Sequence, residues 1–153
     1  MRFVLLCAAA ALAVSGCTKS DLSPVHAVGA SSATDAAAAA SLISAYRVSR
    51  GLSPVAVDPR LNRAAEHQAR VVAAAGRLSH GDFGERMQQY GILGYAAENL
   101  SAGTDGVGEA VNQWKASPGH NQNLLLPEVR RIGLARADSK SRYGRYWALV
   151  LGE

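Results

Sequence analysis

Three residues in this chain are of the types from which a binding or catalytic centre is built. His80 follows Gly76-Arg77-Leu78-Ser79, Glu98 lies in Ala96-Ala97-Glu98-Asn99-Leu100, and His120 ends Trp114-Lys115-Ala116-Ser117-Pro118-Gly119-His120. Short turns are unusual places for a core histidine, and an apolar stretch is an unusual place for a carboxylate. Two imidazoles and one carboxylate can hold a divalent cation such as zinc with a coordination position left open, or can transfer protons. The same residues can instead be satisfied polar groups that order loops, and spacing alone leaves both readings open. A zincin His-Glu-x-x-His, a Gly-x-Ser-x-Gly elbow and a P-loop are all missing from the sequence.

Other polar residues have simpler readings. Ser117 stands at the end of a helical pattern before Pro118, where serine is a turn residue; beside His120 it is also a candidate nucleophile. Asn99 and Asn123 are suited to bonding loop backbone. His67 lies at the edge of a helical apolar face and reads as an interhelix hydrogen-bond partner, and Trp114 reads as a core anchor.

The elements that position these residues follow from periodicity and caps. Thr34 or Asp35 starts a helix predicted to run to Arg50, with Gly51 as its stop. Asp58-Pro59 is a strong helix start, and the pattern Leu61, Ala65, Gln68, Val72, Ala75 carries that helix to Gly76, with Gln68 the polar exception. Residues 76–104 read as irregular, with a short helix over Glu85–Tyr90. Asp105 is the expected cap of a helix bearing Val107, Ala110, Val111 and Trp114, and Asn121–Leu126 allows one further turn. Ile132 and Leu134 alternate as in a strand. Tyr146–Leu151, apolar on both faces, reads as a central strand paired with it in an antiparallel hairpin. Helices first and strands last give an α+β chain.

The N-terminus reads as an address. Arg2 is followed by a dozen apolar residues, Phe3 to Val14, too short to span a bilayer as a mature helix. Val14-Ser15-Gly16-Cys17 resembles a bacterial lipobox, which implies a lipoprotein signal peptide over residues 1–16 and lipidation of Cys17. Residues 17–33 then form a lipid-anchored tether, containing His26, and residues 34–153 the domain. Thr18 replaces the aspartate associated with inner-membrane retention, so the implied location is the outer membrane if the host has one. Loss of Cys7 with the signal leaves a domain with neither free thiol nor disulfide, held by packing alone. That packing is fine-grained, because 29 of the 153 residues are alanine. The charge of +4 comes from scattered Arg and Lys, which argues against nucleic-acid binding. Arg130-Arg131 and Arg142–Arg145 read as solvated charges.

The ordered segments Arg60–His67, Leu78-Ser79-His80, Ala97-Glu98-Asn99-Leu100, Trp114–His120 with Asn123, Ile132-Gly133-Leu134 and Tyr146-Trp147 resemble the CAP superfamily. This comprises the cysteine-rich secretory, antigen-five and pathogenesis-related-one proteins, and the bacterial SCP-like branch is the nearest. The resemblance implies an α-β-α sandwich with a small antiparallel sheet between helical layers. It also implies a cleft lined by His80, Glu98 and His120, supported by Asn99, Ser117 and Asn123. Ala97 stands where the family's Gly-Glu-Asn motif has glycine, and Ser117 stands where animal members carry a second acid. The function implied is an envelope-anchored binding module for a lipid, sterol or other envelope component. Alternatives are a metal-assisted hydrolase using His80, Glu98 and His120, or a non-catalytic interaction domain.

Overall fold

The structure, a computed structural model, describes residues 33–153. The expectations for the signal segment, for lipidation at Cys17 and for His26 in the tether fall outside the described residues.

Helix α1 (Ala33–Val48) buries Ala36, Ala39 and Ile43 on one stripe, and the next position of that stripe is Arg47. Arg47 is fully buried, and among the described residues no carboxylate pairs with it. It donates instead to the carbonyls of Ser53, Leu124, Leu126 and Val129 at 2.7–2.9 Å. The helix stops at Val48, before Arg50, because the chain turns back and Leu52 N–H bonds the Arg47 carbonyl, with Gly51 at φ 76°. A two-residue strand β1 (Ala56–Val57) follows. Helix α2 (Pro59–Ala75) begins as its sequence dictates: the Asp58 carboxylate accepts from the amides of Arg60 and Leu61, and Gly76 in the left-handed region ends it. Helix α3 (Phe83–Gln89) is capped by Asp82, two residues ahead of the expected start.

The stretch expected to be irregular contains strand β2 (Ala96–Ala102). Helix α4 (Val107–Ala116) has Gly106, not Asp105, as its N-cap, because the Asp105 amide is turned toward the Glu109 carboxylate. Ser117-Pro118-Gly119 ends α4 and at once starts α5 (Pro118–Leu124), earlier than the turn expected over Asn121–Leu126. Proline is suited to a first helical turn as well as to a stop. The hairpin of β3 (Arg131–Asp138) and β4 (Arg145–Gly152) forms as predicted.

The sheet order is β1-β3-β4-β2, so β4 is internal and β2 is an edge. β2, β4 and β3 pair antiparallel; β1 pairs parallel with β3, which makes the sheet mixed rather than purely antiparallel. Alternation divides the core into two layers. Trp147, Leu149 and Leu151 pack with α1, α4 and α5, including the fully buried Trp114. Tyr146, Ala148 and Val150 pack with α2 and Met87 of α3. The result is an α+β chain with helical layers on both faces of the sheet. Gly133 sets the spacing of the second layer: a Cβ there would lie 2.0 Å from the Leu61 carbonyl carbon. At the same place the Asn62 side chain accepts the Leu134 amide, at 2.9 Å.

Candidate functional site

Edge strand β2 is the element on which the site converges. Its alternation aims Glu98 at the α2/α3 layer and Asn99 at the α4/α5 layer. The Glu98 side chain is 2% exposed. One carboxylate oxygen takes a hydrogen bond from His80 Nδ1 at 2.8 Å, and the other takes one from Arg86 Nη2 at 2.5 Å. A carboxylate only accepts, so in this bond Nδ1 of His80 carries the proton. The His80 side chain is 56% exposed above this buried pair.

Arg86 is a functional-site residue that the sequence reading missed. Besides Glu98, its guanidinium bonds Gln68 Oε1 at 2.6 Å and the His80 carbonyl at 3.1 Å. Gln68 in turn donates to the Ser79 carbonyl. The turn after α2 is therefore held at Ser79 and His80 by side chains from α2, α3 and β2. The available signal was Gln68 itself, a polar residue on an otherwise apolar stripe, since a buried amide requires a partner. Burial raises the Glu98 carboxyl above its ordinary range, against the downward pull of Arg86 and then His80.

His120 arrives from the other layer. Its carbonyl accepts from Asn99 Nδ2 at 3.0 Å, and Asn123 donates to Asn99 Oδ1 at 2.9 Å and to the Glu98 carbonyl at 3.3 Å. Its imidazole is held below the ordinary histidine range, first by burial and then by the charge of His80. His120 Nδ1 is buried and has no partner among the described residues. Thus the structure joins His80 directly to Glu98, and joins His120 to the same strand through backbone bonds to Asn99 rather than through its ring. Ser117 shares a cleft with His120, but no hydrogen bond links them among the described residues.

As placed, both Glu98 oxygens are taken and one of them by a cation. No group of three or more His, Cys, Asp or Glu side chains is gathered for a metal among the described residues. The arrangement does not fit a metal site in which Glu98 is a ligand.

Beside this network lies a cleft of about 510 Å³ along the C-terminal half of β2. Its floor is Leu100, Ser101 and Ala102. Arg77, Leu78 and Tyr143 form one rim; Gln113, Ser117 and His120 form the other. Leu78 and Tyr143 are large and nearly half exposed. His67, in contrast, bonds the Tyr90 hydroxyl at 3.2 Å on the outer side of α2 and does not line the cleft.

Comparison with known proteins gives a consistent result. Residues 40–151 match the profile of the CAP family, the cysteine-rich secretory proteins. An outer surface protein of Borrelia burgdorferi superposes with a TM-score of 0.71 at 22% identity, over 80% of this chain and 95% of that one. An extracellular SCP-domain protein of Bacillus anthracis gives 0.67 at 21% identity, over 78% of this chain and 41% of the other. A cysteine-rich secretory protein of Staphylococcus aureus gives 0.63 at 15%, over 77% and 38%. The chain therefore spans about two fifths of the length of the latter two, and at these identities the likeness is one of fold. No curated protein matches the sequence.

Proposed function

The chain belongs to the CAP family of cysteine-rich secretory proteins, and from that premise we propose that it is an exported, envelope-tethered binding module. Its ligand, a lipid, sterol or other envelope component, occupies the cleft along β2. The observation that carries this reading is the cleft itself: largely apolar, edged by Arg77, Gln113, Ser117 and His120, and within the size range of pockets that hold small ligands. The His80–Glu98–Arg86 network fixes one end of it, and Asn99 and Asn123 fix α5 at the other side. These groups position the walls of the cleft, whereas of the three residues expected to line it only His120 does so. Among the described residues, neither Ser101 nor Ser117, the serines that line the cleft, is hydrogen-bonded to a base, which favours binding over hydrolysis.

Export fits the N-terminal pattern and the surface or extracellular descriptions of similar folds. In this reading residues 1–16 are the signal, 17–33 the tether with acylated Cys17, and 34–153 the binding domain. The test is native mass spectrometry of the purified chain against an envelope extract. A bound species is expected, with occupancy reduced about tenfold in a Leu78→Ser/Tyr143→Ala variant that strips the exposed rim. Absence of any bound species across lipids, sterols and envelope fractions overturns the reading.

A further inference from the structure

The floor of the cleft is the outer edge of β2, where, among the described residues, outward backbone groups stand unpaired. Gly103 N–H donates to the Arg145 carbonyl, on β4, at 2.9 Å. Antiparallel alternation then turns residues 99 and 101 toward β4 and turns Glu98, Leu100 and Ala102 outward. Elsewhere such edge groups are capped: Asn62 accepts the outward amide of Leu134, and Asn123 donates to the outward carbonyl of Glu98. Among the described residues, no hydrogen bond reaches the outward amide or carbonyl of Leu100 or Ala102. Both residues line the cleft, Leu100 at 3% exposure and Ala102 half-buried.

From this we infer that the cleft takes an extended peptide, which adds to β2 as a fifth strand. The inference rests on the binding-module reading and names its ligand class. Main-chain bonds to Leu100 and Ala102 supply the common part of the recognition, and alternate side chains of the peptide meet the two rims. One set meets Arg77, Leu78 and Tyr143. The other meets the rim of Ser117 and His120, where Ser101, 3% exposed, has a hydroxyl without a hydrogen-bond partner and His120 Nδ1 likewise has none. Among the described residues no carboxylate lines the cleft, and Arg77 stands on its rim. The charge therefore suits a peptide with an acidic side chain on the Arg77 side and an aliphatic one two residues away.

The test uses the purified full chain and an array of acetylated, amidated heptapeptides with Asp or Glu at one position and Leu or Val two residues on. The tightest binder is expected to slow amide hydrogen exchange at Leu100 and Ala102 at least tenfold. N-methylation of its alternate amides should weaken it at least tenfold. Ala102→Pro, which deletes an outward donor at a strand end where proline is tolerated, should weaken binding at least tenfold. Ala102→Val, which keeps the donor, should stay within threefold, with both variants folded by circular dichroism. If oleate or phosphatidylglycerol vesicles shift the Leu78 and Tyr143 resonances while no peptide protects Leu100 and Ala102, strand addition is overturned and the binding-module reading survives. If neither peptides nor amphiphiles perturb the cleft, both are overturned. Peptide binding that Ala102→Pro leaves intact also overturns strand addition.

Discussion

Burial and pairing pull on Glu98 in opposite directions. Burial raises its carboxyl, so the folded chain holds its proton to higher pH than the unfolded chain, whose value is near 4.5. The stability contributed by this group therefore falls as pH rises from that value through the folded one. Arg86 limits the loss. Removing one member of a buried ion pair costs about 3–5 kcal/mol, so Arg86→Gln should lower the urea midpoint strongly at pH 7. The deficit should shrink as pH falls and Glu98 takes up a proton, and a deficit independent of pH would contradict the pairing. His120 has the opposite sign. Its folded value lies below the ordinary 6.5, so the stability it contributes is complete above 6.5 and is lost as pH falls through the folded value. His80→Ala removes one of the two depressing causes and should raise the His120 midpoint in an NMR titration. Arg86 was not legible beforehand because the short helix read over Glu85–Tyr90 is mostly polar and carries no apolar stripe to show which face is buried. Its burial is created by Gln68 and Glu98, which come from other elements.

At the scale of elements, local signals decided what could be read. Asp58, Pro59 and Gly76 bound α2 through their own side-chain and backbone chemistry, and Asp58→Ala should cost about 1 kcal/mol in thermal denaturation. The β3–β4 hairpin was equally legible, from apolar alternation. Strand β2 was not, because Ala, Glu and Asn are depleted in strands and Ala96-Ala97-Glu98-Asn99 carries no period. It is a strand because β4 offers a fully buried edge along its whole length. Arg47 likewise gives no signal in the sequence beyond that of a basic residue in a last helical turn, yet it ties α1 to the segment around Leu124–Val129. Lysine lacks the planar fork needed to reach those carbonyls together. Arg47→Lys should therefore cost about 2–4 kcal/mol in urea unfolding, given about 1.5–3 for each hydrogen bond to a charged group.

For the whole molecule, the two-layer core needs no cysteine, which leaves Cys17 free for the role proposed for it. A lipid chain contributes about 0.8 kcal/mol per buried methylene, and two or more chains give stable attachment. Cys17→Ala should abolish incorporation of labelled palmitate and move the chain from the membrane to the soluble fraction, with the circular dichroism of the domain unchanged. The same two-layer plan has a consequence for the site. His80 is delivered by the α2/α3 layer and His120 by the α4/α5 layer, and each is wired to one of two consecutive residues, Glu98 and Asn99. A slide of either helical layer across the sheet, even by a fraction of an ångström, alters the separation of the imidazoles and hence the field that one exerts on the other.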